Sequence, residues 1–558
     1  MTIQSLQKQA HSGKAGIAPY KNPNLPVARQ VKSLLSEMTL EEKAAQMMCV
    51  WQQKADTLLN ADGDFDLKKA QTRFKDRRGL GQVGRPSDAG KGKDARGMAE
   101  LTNAIQKFFI ENSRLGIPVI FHEECLHGHA AIGGTSFPQP IALGATFNPQ
   151  LVEALFTMTA AEARLRGTHQ ALTPVVDVAR DPRWGRVEET YGEDPYLVSR
   201  MGIAAVRGFQ GDGTFRDKRR VIATLKHFAG HGQPESGMNC APANVSMRVL
   251  RETFLYTFKE ALHKAGAISV MASYNELDGV PSHANQWLLR DVLRKEWGFQ
   301  GFVVSDYYAI WELGDRPDTH GHFVAKDKKE ACALAVRAGV NIELPEPDCY
   351  LHLVELVRKG VLKESQLDEL VAPMLHWKFQ MGLFDDPYVD PNEADRVVGC
   401  REHRQLALEG ARQAITLLKN ENDLLPLHPE RIQSIAVIGP NAHRSLLGGY
   451  SGVPKDNVTV LDGIREKIGD RAKVLYSEGC KITVGGSWNQ SPGCAGRAPA
   501  AAARAGWGAA ARTARAASRR RTRRPRRRRR AGGCVSLTCL LAHFQYWVRP
   551  PSAQSQRK

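Results

Sequence analysis

Short apolar runs recur along the first two thirds of this 558-residue chain, at Ile117 to Phe121, Leu172 to Val178, Val221 to Leu225, Ala267 to Ser273, Phe302 to Ser305 and Val340 to Leu344. Helix-compatible stretches separate most of them. Near-continuous apolar strands alternating with helices predict a parallel sheet covered on both faces. Three of the runs end in polar residues of different chemistry: Lys226 and His227, Tyr274, and Asp306. In a closed parallel barrel the residues just past the strand ends share one face, where active sites are built. An open doubly wound sheet also binds ligands at strand ends, but at a single switch point. Polar ends spread over several strands favour the barrel.

The expected fold class is therefore α/β, a (β/α)8 TIM-like barrel followed by an incomplete α/β sandwich domain and a disordered Arg-rich tail. Residues 1–30 are polar, with Gly13, Gly16, Pro19, Pro23 and Pro26, and read as an N-terminal arm. The barrel is expected over 31–385, beginning with a helix from Val31 to Met38. A second helix follows, its start marked by Thr39 and Glu42 at capping-box spacing. Residues 54–78 are charged and read as an irregular surface excursion. The Asp/Pro-rich stretch from Asp385 to Pro391 predicts a linker over 386–400. The partial sandwich domain, 401–490, begins with helical spacing from Glu402 to Leu418. Strands are expected at Ser434 to Ile438 and Val474 to Tyr476. Between them lies the loop Gly448-Gly449-Tyr450-Ser451-Gly452. No Gly-Lys-Ser/Thr follows it, which disfavours a phosphate cradle.

The net charge of +18 suggests a nucleic-acid binder until it is located. Residues 491–558 hold sixteen Arg, one Lys and no Asp or Glu, so the preceding chain is nearly neutral. A block such as Arg526 to Arg530 repels itself and predicts disorder. One reading is a basic tail that contacts nucleic acid non-specifically. The favoured one is a shifted reading frame in GC-rich coding sequence. The ten cysteines have no zinc-ligand spacing and read as free thiols of a reducing compartment. With no signal-like segment and no membrane-length apolar run, the expectation is a cytoplasmic protein with no membrane contact. No cofactor and no metal are expected, and the oligomeric state is open.

Several separated motifs carry a resemblance. Lys226-His227-Phe228-Ala229-Gly230-His231-Gly232, Val303-Val304-Ser305-Asp306, Asp181-Pro182-Arg183-Trp184-Gly185-Arg186 and Glu193-Asp194-Pro195 resemble glycoside hydrolase family 3. So do Gly79 to Val83, Ile415 to Asn420, Leu424 to Leu427 and Ala436 to Asn441. The resemblance spans about residues 20–490 and implies an exo-acting retaining β-glycosidase that takes terminal β-glucosides or β-xylosides of oligosaccharides. It places Asp306 as the nucleophile, with Glu124, Arg186, Lys226, His227, Met271 and Tyr274 around the terminal sugar.

The residue chemistry agrees. A retaining glycosidase needs an ionised carboxylate at the anomeric carbon, and an Asp of ordinary pKa, about 3.9, supplies one. A polyhydroxylated ring calls for converging donors and acceptors, which Lys226, His227, Arg186 and Glu124 provide. His227 and His231 at i, i+4 raise a metal site, but no His-Glu-x-x-His accompanies them. Glu124 departs from the family's glucosidases, which commonly carry Asp there. The extra methylene reaches about 1.3–1.5 Å further and would crowd the exocyclic CH2OH of glucose, so xylosides are expected to be accepted at least as well. Two-domain members take their general acid from the second domain, and no Asp or Glu follows Glu478 here. The loop Gln233 to Gly237 lacks the His of the Asp-Ser-His acid loop, which disfavours the N-acetylglucosamine-specific subgroup. The alternative to an impaired glycosidase is a catalytically inactive carbohydrate-binding or nucleic-acid-associating protein with a basic tail.

Overall fold

The computed structural model describes residues 18–215, 217–316 and 321–480. The expected arm, apart from its last residues, and the basic tail lie outside the described residues. The chain divides into two compact units, the first made of residues up to Thr416 plus Gly448–Lys455, the second of Leu417–Leu447 and the residues from Asp456 onward.

The first unit is an α/β fold around a parallel half-barrel sheet. Its strands are β1 (Cys49–Val50), β2 (Gln82–Gly84), β3 (Ile120–Glu123), β4 (Gln170–Ala171), β5 (Ile222–Phe228), β6 (Ser269–Ala272) and, after a small β7–β8 hairpin (Glu276–Leu277, Val280–Pro281), β9 (Phe302–Val304). They neighbour one another in chain order, β1-β2-β3-β4-β5-β6-β9, with registers such as Val83↔Phe121, Thr224↔Ser269 and Val270↔Val303. The run at Val340 to Leu344 contributes single parallel bridges, Ile342 to Val304 and Glu343 to Met48. β1 and β2 are only two and three residues long; Gln82 and the neighbouring glycines break up β2, whereas β1 lies within the apolar stretch Met47 to Trp51.

Helices form where caps and apolar spacing agree. The expected capping box is present: the Glu42 amide donates to Thr39 Oγ1 (3.3 Å) and the Thr39 amide donates to Glu42 Oε2 (2.8 Å). Asn148 and Asp194 cap the long helices Pro149–Leu165 and Pro195–Gln210, each of which begins with a proline whose missing N–H costs nothing there. Leu155, Phe156, Val198, Met201 and Phe258 from the helices pack with Ile222, Leu225, Val270, Val303 and Val304 from the strands in one apolar core. Full burial of such side chains stabilises by about 1.5–3 kcal/mol each.

A polar layer runs through the sheet interior. Gln82 Nε2 donates to Gln170 Oε1 (3.0 Å), and Gln170 Nε2 donates to Thr224 Oγ1 (2.9 Å) and Ser269 Oγ (3.0 Å). Side chains of the alternate strands β2, β4 and β6 meet only because the sheet curls.

Two stretches differ from expectation. Residues 54–78 carry the helices Lys54–Thr57 and Leu67–Arg73, and Leu58, Leu59, Ala70 and Phe74 join a buried cluster with Phe108 and Phe109. Most of the charged residues are the outer faces of amphipathic turns, while Lys54 is buried and pairs with Asp88. The expected linker holds the helix Pro391–Val397, whose Ala394 and Val397 pack with Ala95, Ala99 and Leu165, so the first unit continues past residue 385.

In the second unit, β10 (Ser434–Ile438) pairs in parallel with β11 (Lys473–Ser477), and Val437, Ala442 and Leu461 form a small core beside the helix Val460–Ile468. Among the described residues, no helix is long and apolar enough to cross a membrane.

Candidate active site

Asp306 follows β9 and is 5% exposed. Its amide donates to His283 Nε2 (3.1 Å), and the Tyr307 amide donates to its Oδ1 (2.7 Å). Its Oδ2 has no hydrogen-bond partner among the described residues and lies 3.7 Å from His227 Nε2. Burial pushes the carboxyl above its ordinary range, opposed by the charges of Arg186 and Lys226. The expectation of an ordinary Asp is thus corrected. Desolvation outweighs two cations, and their field is what favours the ionised form. His283 is pushed down to about 3 by burial, so it stays neutral and accepts the Asp306 amide.

Lys226 and His227 sit inside β5 rather than past its end, at a register shift between Leu225 and Phe228. Such irregularities re-aim side chains. Lys226 Nζ meets Glu124 Oε2 at 3.0 Å, both side chains being buried, and the Tyr307 hydroxyl donates to Glu124 Oε1 (3.2 Å). Glu124 follows β3 directly. Its neighbour Glu123, the last residue of that strand, takes hydrogen bonds from the Ser87 amide and hydroxyl, both at 2.8 Å. The β alternation sends the two carboxylates to different partners.

Arg186 joins the cluster from the loop that carries the Asp-Pro-Arg-Trp-Gly-Arg motif. Its guanidinium binds Glu189 in a two-pronged pair (2.8 and 3.0 Å) and donates to His227 Nε2 (2.8 Å) and His231 Nε2 (3.2 Å). The lone pairs a metal would need on these two histidines are taken by Arg186. With Nε2 accepting, His227 carries its proton on Nδ1, which donates to Asp177 Oδ2 (2.8 Å); the His227 amide donates to the same oxygen (3.0 Å). Burial raises Asp177 to about 8. Tyr274 donates its hydroxyl to the Tyr307 carbonyl (3.0 Å) and stands near enough to Asp306 to help hold its carboxylate form. Met271 lies in β6, paired with Val304, and is a buried member of the apolar core.

Glu124, Arg186, Lys226, His227, Tyr274 and Asp306 are thus brought to one rim of the sheet, while Met271 reaches the core behind it. Sequence reasoning missed Asp177, Glu189, Tyr307 and Tyr450. Asp177 interrupts the apolar run Val175-Val176-Asp177-Val178, and Glu189 stands three residues after Arg186; both are visible signals. Tyr450 stands in the glycine-rich loop, and its ring centroid is 4.9 Å from Lys226 Nζ. Nothing in the sequence connects these two residues.

A parallel α/β sheet thus carries at its rim a buried carboxylate ringed by cations and hydrogen-bonding groups, the place where parallel folds of this kind build their sites. Residues 39–376 match the glycosyl hydrolase family 3 N terminal domain and residues 415–524 the C-terminal domain of that family. The chain belongs to glycosyl hydrolase family 3. It is 42% identical over 396 residues to a beta-xylosidase of Formosa agariphila, covering 66% of this chain and 54% of that protein. It is 36% identical over 473 residues to the periplasmic beta-glucosidase of Salmonella typhimurium, covering 83% and 57%. Among solved structures it is similar to a β-glucosidase from Erythrobacter marinus, with TM-score 0.76 and 38% identity over 84% of this chain and 60% of that one. A Listeria innocua beta-glucosidase in complex with glucose matches at TM-score 0.71 and 33% identity, over 82% and 61%. The chain spans about half the length of the curated relatives it matches.

Proposed function

We propose that this chain is a retaining, exo-acting β-glycosidase of terminal β-xylosides and β-glucosides, with Asp306 as the nucleophile. The observation that carries the proposal is Asp306 Oδ2, a buried carboxylate oxygen without a hydrogen-bond partner among the described residues. Arg186 and Lys226 stand close enough to favour its charge. A nucleophile must keep one such oxygen free for the anomeric carbon. Oδ2 attacks C1, the C1–O bond to the aglycone breaks, and water later releases the sugar from the ester. Glu124, Lys226, His227 and Arg186 hold the ring hydroxyls as donors and acceptors. The proposal extends to a closed (β/α)8-type barrel, supported by the bridges through Ile342 and Glu343 and by the alternate-strand glutamine layer.

Lack of a general acid costs about 100- to 10,000-fold, and least where the leaving group needs no proton. The test is therefore a 2-deoxy-2-fluoro-β-xyloside with a dinitrophenolate leaving group, incubated with the full chain. Intact mass should rise by one fluoroxylosyl group, mapped to the peptide containing Asp306. No adduct, or the same adduct on D306A, would sink the assignment.

A further inference from the structure

The chain returns to the first unit once after Thr416, at Gly448–Lys455. This strap lies flat because of its glycines: a Cβ on Gly452 would overlap the Ala131 backbone, and one on Gly448 would overlap the Gln139 amide. Close approach is the use of the glycine-rich loop. Its fastenings are specific. His127 Nε2 meets Gly449 O at 3.2 Å and Ser451 Oγ at 3.1 Å. The Gly133 amide donates to Val453 O (2.7 Å), and Lys455 Nζ donates to Val398 O (3.0 Å).

The His127 contacts bracket Tyr450, which stands at φ +55°. A bulky residue holds that left-handed conformation only when its surroundings fix it there, and such residues cluster at ligand clamps. The result is a phenol ring over the Lys226 ammonium, 4.9 Å from Nζ to the centroid. Lys226 is the partner of Glu124. Tyr450 also lies within electrostatic reach of Glu124, Arg186, Glu189 and Asp306, so it belongs to the same cluster.

We propose that Tyr450 is a specificity-determining wall of the sugar site, its ring closing the end held by Glu124 and Lys226 against a pyranose that carries an exocyclic CH2OH. The inference rests on reading this cluster as a sugar site. A pentopyranose such as xylose ends in a ring CH2 where glucose carries CH–CH2OH, and a wall at that end discriminates by shape. Contact with one extra carbon changes binding by about 10- to 200-fold.

The test is equilibrium titration of the full chain with D-xylose and with D-glucose, for the parent, Y450G and Y450F. Glycine suits φ +55°, so Y450G removes the ring without adding backbone strain. The parent should bind xylose more tightly. Y450G should shift the xylose-to-glucose ratio toward glucose by about tenfold or more, and Y450F, which keeps the ring, should retain the parent ratio. An unchanged ratio in Y450G, or equal weakening for both sugars, overturns the wall. A parent that binds neither sugar overturns the sugar-site reading itself, a different outcome from a parent that binds both while Y450G leaves the ratio alone.

Discussion

Replacement of Lys226 by methionine should destabilise the first unit by about 3–5 kcal/mol, the usual consequence of leaving one member of a buried ion pair alone. The side chains of Lys226 and Glu124 are 2% and 1% exposed, and their charged atoms are 3.0 Å apart. At an effective dielectric constant near 20, unit charges at that separation attract by about 5.5 kcal/mol. Desolvation takes back several kcal/mol per ion, so the intact pair sits near balance while a solitary carboxylate does not. In K226M, Glu124 keeps the Tyr307 hydroxyl at 3.2 Å, one neutral hydrogen bond against a buried charge. The double variant K226M/E124Q removes both charges and should recover to within about 2 kcal/mol of the parent. Urea unfolding of the full chain, followed by far-UV circular dichroism for the parent, both single variants and the double, gives the coupling energy directly. A K226M cost below about 1 kcal/mol, or a double variant that loses the sum of the singles, would refute the buried-pair argument.

Asp177 offers a pH test. Its folded-state pKa of about 8 lies above the ordinary value near 3.9, so the unfolded chain gives up the proton first and the parent loses stability as pH rises from about 4 to about 8. An Asn at 177 accepts the same two N–H bonds through its oxygen without a titrating proton. The stability advantage of D177N should therefore grow across that interval and level off above it; a pH-independent difference would show that Asp177 ionises normally. For Glu124, the parent should hydrolyse dinitrophenyl β-xyloside at least as fast as the β-glucoside, and E124D should move the ratio of kcat/KM toward the glucoside. A strong glucoside preference in the parent would contradict the crowding argument.

The parts of this fold that were legible in the sequence are those in which one segment carries its own signal. β10 reads from Ser434 to Ile438 as expected, and the Thr39/Glu42 box forms the cap that its spacing implies. β2 was invisible because three residues held by lateral pairing need no apolar run, whereas β1 lies in the apolar stretch Met47 to Trp51, a signal that was there to read. The site was legible where motifs are compact, as at Lys226-His227 and Asp306. The long-range partners were not. Asp177 reaches His227 across neighbouring segments, and Glu124 meets Tyr307 over a separation that no spacing rule covers. The upward shift of the Asp306 carboxyl was not legible for a related reason: burial is a property of the assembled rim, and the local sequence carries no record of it.

The Gly448–Lys455 strap also sets an order of events on the ribosome. Domains form as units while the chain emerges, N-terminal parts first. The sheet, its helices and the nucleophile can be in place once the residues up to Thr416 have cleared the exit tunnel, yet the rim is still missing Tyr450. Thirty-one residues assigned to the other unit, Leu417–Leu447, must be made before the strap arrives. A nascent chain therefore carries an unwalled site for that interval, and the last piece fitted to the earliest-made part of the protein is an eight-residue strap that brings one aromatic ring to the rim.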